Sequence, residues 1–569
     1  MTDRPWLASY PEHLQWDAPI ALRAVPDILD EAVARWPDRY ALDFMGRRTT
    51  YRELGDAVAR AACGLQRLGV GPGVHVGLYL PNTPHYVIAF FAVLKAGGVV
   101  VNYSPLDAER VLEHKVADSE TDLMVTLDLA LLYPQIERLL HATRLKKVVV
   151  GSLGEMSGNP AAVTAQMRGA GLLAEVAFDD RHVSFAALLD NDGRFEPHDI
   201  GDPAQALAVL QYTGGTTGLP KGAMLTHGNL SAANEQYVLT LRHGGSNLGF
   251  GEERVLSVLP PFHIYSLSVN TVLAVRIGAE SVLHTRFEVG PVLKDLADKK
   301  ISMFVGVPTM YTGLIHHPDF RSFDLSSLKF CGSGGAPLPV EVHQRFLALT
   351  GRYICEGWGM TETSPSGTFT PSIGASKPGS CGLPMPGDDI RLADLNDASK
   401  AVPLGEPGEL CIAGPNVMKG YWKNPQATAD SFTADGFFRT GDVATMDADG
   451  WLRIVDRTKD MLLCSGFNVY PRIIEEAIYE HPSVAEACVI GIPDDYRGQT
   501  PKAFIALKPG AASLSLDDLQ AFLQTRIGKH EMVSALEIRS ELPRTMVGKL
   551  SKKTLVDEEA GKREALSKG

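Results

Sequence analysis

The sequence predicts an α/β protein: a large N-terminal domain of αβαβα-type sheets ending in a β-rich section, then a small C-terminal α+β domain. Three observations predict it. At 569 residues the chain is too long for one ordinary core, so two or more domains are expected. Short apolar bursts alternate with helical patterns over much of its length, the mark of mostly parallel sheets. The charged run Asp456-Arg-Thr-Lys-Asp460 then precedes a final unit of about a hundred residues, a reasonable size for a small domain. The expected division is residues 1–457 and 458–569.

The elements follow in order. Tyr51 to Leu68 reads as a helix, Val74 to Leu80 as a strand, the segment around Tyr86–Leu94 as a helix and Val99 to Val101 as a strand. Gly151 to Gly201, rich in Gly, Asp and Asn, reads as a peripheral excursion. Strands resume at Val255–Leu259, Ser281–His284, Ile301–Val305 and Leu328–Phe330. From Gly379 to Asp456 short strands and turns take over, with Asp449-Gly450 as a hairpin turn. Pro471 to Glu480 reads as a helix with proline in its first turn.

Composition excludes several classes. A net charge of −13 argues against a general nucleic-acid binder. From Thr458 onward, however, 15 basic residues face 16 acidic ones, and Lys549, Lys552 and Lys553 cluster, so a polyanion could be gripped there. The start, Met1-Thr-Asp-Arg-Pro-Trp-Leu, has no apolar h-region, and the apolar stretch Tyr86–Val101 is broken by Lys95 and Gly97-Gly98. A cytoplasmic protein with at most peripheral membrane contact is expected. The seven cysteines lack metal-ligand spacing and read as free thiols in a reducing compartment.

The chemistry is announced by Tyr212-Thr-Gly-Gly-Thr-Thr-Gly-Leu-Pro-Lys-Gly-Ala-Met224. Glycines let backbone N–H groups approach a phosphate, hydroxyls add donors and Lys221 adds charge. Pro220 before Lys221 and Gly222 after it exclude the standard P-loop. Six further motifs join it. They are Pro260-Pro-Phe-His-Ile-Tyr265, Cys331-Gly-Ser-Gly-Gly-Ala-Pro-Leu338, Glu356-Gly-Trp-Gly-Met-Thr-Glu-Thr363, Phe438-Arg-Thr-Gly-Asp442, Trp451-Leu-Arg-Ile-Val-Asp-Arg-Thr-Lys459 and Pro543-Arg-Thr-Met-Val-Gly-Lys549. A nucleophile-elbow reading of Ser333 ranks below a nucleotide-wall reading, because Cys331 stands where that elbow wants glycine.

In this order the motifs resemble the acyl-adenylate-forming superfamily, and most closely the bacterial long-chain fatty acid:CoA ligases. The resemblance implies ATP, Mg²⁺ and CoA as ligands and a two-step reaction through acyl-AMP. Thr213, Gly214, Gly215, Thr216, Thr217, Gly218 and Lys221 match the loop that holds the β- and γ-phosphates. Thr361 matches the residue that bonds the α-phosphate, and Glu362 the Mg²⁺ ligand. Gly335, Ala336 and Pro337 match the adenine wall, within the same pocket as Glu356, Gly357, Trp358 and Gly359. Trp358 stands where the family most often has tyrosine. Asp442 and Arg457 match the ribose contacts. Lys549 matches the lysine that reaches from the small domain to the reacting carboxylate and α-phosphate. Lys459 falls at the hinge about which the small domain rotates, and Gly466 and Phe467 fall on the CoA path.

His263 matches a residue between acyl pocket and CoA tunnel, and gating suits it better than general-base work, because a carboxylic acid is already ionised near neutral pH. The expected acyl walls are Phe262, Tyr265, Gly306, Val307, Gly332 and Gly334. Val258–Val275 and Ile301–Ile315 contain no Lys, Arg, Asp or Glu, though Arg276 lies just beyond. A second substrate carboxylate would need a buried cation, so an apolar monocarboxylate is favoured. The rivals are medium-chain, aryl or dicarboxylic acid:CoA ligases, an acyl-AMP ligase that loads a carrier protein, and an inactive scaffold. The resemblance is compatible with a homodimer.

Overall fold

The computed structural model describes residues 4–105, 107–213, 220–243, 247–372, 377–465, 467–494, 496–545 and 549–567. Among these, two seven-stranded sheets form the body of the molecule. In spatial order the first sheet runs Ile354–Glu356, Phe330–Ser333, Met303–Gly306, Arg254–Ser257, Glu280–Leu283, Tyr40–Phe44 and Arg47–Thr50. The second runs His182–Ser184, Lys147–Gly151, Leu123–Leu127, His75–Leu78, Val99–Asn102, Leu207–Thr213 and Lys221–Thr226. Pairing is parallel except at the hairpins Tyr40–Thr50 and Leu207–Thr226. The strand His182–Ser184 extends the second sheet, so the stretch expected to be peripheral contributes to the body.

The helix Pro84–Lys95 explains how the layers stack. Its residues from Pro84 to Leu94 are all buried, so it presents an apolar surface on every side and lies inside the main core. Tyr51–Arg67 packs beside it, started by a capping box in which Thr50 and Glu53 satisfy each other's backbone N–H groups.

A four-stranded antiparallel sheet, Asp389–Ala393, Gly408–Ala413, Phe438–Met446 and Leu452–Arg457, follows as the β-rich section. The last two strands join through Asp449-Gly450, where Gly450 takes φ +82°. The final unit carries Leu462–Cys464, Phe467–Val469, Val484–Asp494 and Gly498–Leu507 in one sheet, with Ala535–Arg539 parallel to Gly498–Leu507. It has its own core around Ile474, Val489 and Ile505. All seven cysteines are buried and free. Among the described residues no helix is long and apolar enough to cross a membrane.

Candidate active site

A cavity of about 710 Å³ opens at the carboxyl ends of the parallel strands, where open α/β sheets bind ligands, and runs along one sheet face to Met303 and Phe330. One end is polar. Antiparallel register sets Asp442 directly opposite Arg457, and the guanidinium Nε donates to Asp442 Oδ1 at 3.0 Å. The indole Nε1 of Trp358 donates to the other carboxylate oxygen at 2.7 Å. Gly367 fits closely against one side of that indole, since a Cβ there would lie 2.6 Å from two ring carbons. The glycines around Trp358 have the same logic. A Cβ on Gly359 would meet Pro365 O at 1.5 Å, and one on Gly357 would meet Thr368 O at 2.8 Å, so the returning strand leaves room only for backbone.

Lys549 enters from the final unit. An isolated bridge joins Arg544 and Leu550, and Lys549 N donates to Thr545 Oγ1 at 3.2 Å, so the Lys549 backbone is held in place and is not part of a solvated tail. Its side chain lies over Gly335. A Cβ on Gly335 would stand 2.9 Å from Lys549 Cε and 3.3 Å from Nζ, and Gly335 also takes φ +78°. Burial, with Arg457 adding repulsion, pushes the ammonium down to about 8.

Thr213 pairs with Lys221 across the two ends of the glycine-rich motif. Gly214, Gly215, Thr216, Thr217 and Gly218 lie outside the described residues. Lys221 Nζ sits 4.2 Å from the ring centroid of Tyr421, whose hydroxyl donates to Glu362 Oε1 at 2.8 Å. Met418 N holds the Glu362 backbone carbonyl at 2.7 Å. Burial raises the Glu362 carboxyl, against the pull of Tyr421, Arg457 and Lys221. Among the described residues no cluster of three acidic, His or Cys side chains could hold a metal by itself. One hard oxygen donor, Glu362, with Lys221 nearby is a donor set that fits Mg²⁺, a cation that takes most of its other ligands from phosphates and water. Glu356 is buried with Leu338 N 3.4 Å from Oε1, and burial pushes it up to about 7.

His263 stands where the polar and apolar ends meet. Its loop is tied by Gln211 Nε2 to Phe262 O at 2.6 Å, and Gln211 is itself held by Asn102 at 2.9 Å. His263 Nδ1 accepts from Tyr265 N at 3.3 Å. Burial, then Lys549, drives the imidazole down to about 3, so it is neutral at working pH.

The other end is apolar. Parallel register aligns Met303 with Phe330, and Val305 with Gly332 and Cys355, on one sheet face. Tyr237 and Leu241 of the helix His227–His243 cover this face, with Val269 and Leu273 of a π-helical segment, Leu267–Leu273. The Tyr265 ring lies against Gly334, where a Cβ would approach its Cζ to 2.9 Å. Arg276 offers no free cation here, because it pairs with Glu235 at 2.8 Å.

One family model, described as AMP-binding enzyme, matches residues 29–422, and a second, AMP-binding enzyme C-terminal domain, matches residues 473–549. The chain belongs to the AMP-binding enzyme family. A long-chain-fatty-acid–CoA ligase of Bacillus subtilis (strain 168) is 37% identical over 561 residues, covering 98% of each chain. A feruloyl-CoA synthase of an Amycolatopsis species is 36% identical, covering 91% of this chain and 95% of its own. The solved structure of ATP-bound MatB from Rhodopseudomonas palustris superposes with a TM-score of 0.82 at 27% identity, covering 94% of this chain and 99% of that one.

In this AMP-binding enzyme the motifs converge. Thr213, Lys221, Gly357, Trp358, Gly359 and Thr361 line this cavity with Glu356, Glu362, Arg457, Lys459 and Lys549. Phe262, His263, Tyr265, Gly332, Gly334 and Gly335 line it too, and Asp442 meets it through Trp358 and Arg457. Others are placed elsewhere. Gly306 belongs to the opposite sheet face, because side chains alternate along Met303–Gly306, and its missing side chain is backed by Phe304 and Met310 at 3.3 and 3.4 Å. Val307 is buried outside the lining, at the start of the helix Pro308–Ile315. Ala336 and Pro337 also stand outside it, because the chain turns outward at Gly335. Phe467 is 58% exposed and packs on His530, with ring centroids 5.2 Å apart. Gly466 lies outside the described residues. The motif reading did not include Tyr421, Tyr237, Leu241 or Phe330. Spacing at Tyr237, Thr240 and Leu241 gives a helical face, but nothing local says which cavity it covers.

Proposed function

We propose that the protein activates a long-chain fatty acid with ATP and transfers it to CoA, releasing pyrophosphate and AMP. The observation that carries this reading is one continuous cavity. Its polar end holds Asp442, Arg457 and Glu362, its other end is uncharged, and Lys549 lies between them over Gly335.

In the first step a carboxylate oxygen of the acid attacks the α-phosphorus of ATP. The bond from that phosphorus to the bridging oxygen breaks, and pyrophosphate leaves. We assign Asp442 and Arg457 to the ribose, Trp358 to the adenine, Thr361 to the α-phosphate, and Thr213 with Lys221 and the intervening glycine loop to the β- and γ-phosphates. Glu362 would hold Mg²⁺, which when bound neutralises phosphate charge. Lys549 is charged below about pH 8 and offsets the negative charge that gathers between carboxylate and α-phosphate.

In the second step the CoA sulfur attacks the acyl carbonyl carbon, the carbon–oxygen bond to AMP breaks, and the thiol proton is lost. A neutral His263 suits a gating role, since a group driven down to about 3 is a weak base. We propose that residues 1–457 and 458–569 are the two domains, and that rotation at Lys459 withdraws Lys549 and brings Gly466 and Phe467 to the thiol path.

The experiment is pyrophosphate release with a panel of straight-chain, aryl and dicarboxylic acids, with and without CoA. Acyl-CoA and AMP should form with the long straight-chain acids. Release without thioester would favour carrier loading, and a preference for aryl acids would overturn the fatty acid assignment.

A further inference from the structure

One side chain that lines the apolar end, Phe330, belongs to none of the motifs. On the sheet face that floors the apolar end, Phe330 and Gly332 point the same way, two residues apart on one strand. A Cβ placed on Gly332 would lie 3.1 Å from Phe330 Cε1 and 3.6 Å from Cζ. The phenyl ring is therefore folded back along the strand over Gly332, toward Gly334 and the reacting end, and occupies the space that a side chain at 332 would fill. Both residues line the cavity, and so does Met303, the register partner of Phe330.

The strand works as a ruler. At about 3.3 Å per residue, Gly332 lies about 7 Å below Gly334, the neighbour of the Gly335 that Lys549 covers. An extended chain gains roughly 1.3 Å per methylene, so about half a dozen methylenes fit before they meet the ring. The level of Met303 and Phe330 lies about 7 Å further down. The surroundings also differ across this level. Met303 is only 1% exposed, whereas Phe330 is half-buried, so the phenylalanine is not enclosed on every side.

We propose that Phe330 is the chain-length gate of the acyl site: short acids fit with the ring over Gly332, and long acids bind by turning it aside. This rests on the fatty acid reading given above and adds to it which residue sets the length. Phe330 touches the tail and not the reacting atoms, so it governs selectivity between acids and leaves the nucleotide end alone.

The test is kcat/KM for pyrophosphate release across straight-chain acids from six to eighteen carbons, in the wild type, Phe330→Ala and Phe330→Trp. Phe330→Ala should raise the ratio of long-chain to six-carbon activity at least tenfold, and Phe330→Trp should lower it by a similar factor. KM for ATP should stay within twofold in both. Phe330→Leu provides a milder version should the alanine variant fold poorly, and turnover of the six-carbon acid checks that each site is intact. Profiles that superimpose on the wild type, in variants that still turn over the six-carbon acid, would overturn the gate. A wild type that releases no pyrophosphate with any straight-chain acid would instead overturn the fatty acid reading itself.

Discussion

The two ends of the cavity are built on opposite principles. At the polar end carboxylates are held by directional bonds: Asp442 by Arg457 and Trp358, Glu362 by Tyr421. At the acyl end shape does the work, through a bare glycine under Tyr265, another under Phe330, and helix side chains packed above. Hydrogen bonds and ion pairs fix a position to fractions of an ångström and lose much when one partner goes. Apolar walls fix a volume, and a volume can be remodelled by one rotamer. In the proposed function the first end therefore sets the reaction, and the second sets the substrate.

That contrast can be broken at its junction. Lys549→Ala should lower acyl-AMP formation by about 10²–10³-fold, the usual cost of one stabilising donor at a reacting centre. Thioester formation from supplied acyl-AMP should be largely spared. Equal loss of both half-reactions would remove the lysine from the first step. The same residue carries a pH signature. Its charge is needed, and burial has brought it down to about 8, so kcat/KM for adenylation should fall as pH rises through that value. Lys549→Arg, charged throughout, should flatten that limb even at reduced rate. A falling limb unchanged in the arginine variant would assign the titration to another group.

A smaller effect sharpens the nucleotide side. Trp358→Phe keeps an aromatic ring and removes the N–H that reaches Asp442. A hydrogen bond to a charged group is worth about 1.5–3 kcal/mol, so KM for ATP should rise roughly tenfold or more. The gain from a 2′-hydroxyl, measured as ATP against 2′-deoxy-ATP, should shrink with it. An unchanged ratio would leave Trp358 as a packing residue.

The same contrast explains what the sequence disclosed. That Lys549 and Glu362 would meet in one cavity, with Asp442 beside it, was legible because their motifs set a residue type at a fixed place. The parallel strands were legible from their apolar bursts, and Gly359 from its motif, although its reason, a carbonyl 1.5 Å from any Cβ, needs the fold. Gly306 was misplaced because Val305-Gly306-Val307 reads as one wall until alternation sends Gly306 to the other face. Tyr421 lies 59 positions from the carboxylate it holds, and nothing near it in the chain marks that partnership. Phe330 gains its meaning only from the bare Gly332 beside it.

The central claim is that one cavity holds nucleotide and acyl chain at once, with Lys549 between them. The most direct measurement is calorimetric binding of a hydrolysis-resistant acyl-sulfamoyl adenosine with a long straight chain, compared with AMP and with the free acid. Joined ligands in one site should bind at least ~10²-fold more tightly than either half. The compound should compete with both ATP and the fatty acid. An affinity no better than that of AMP, or a failure to compete with the acid, would contradict the account.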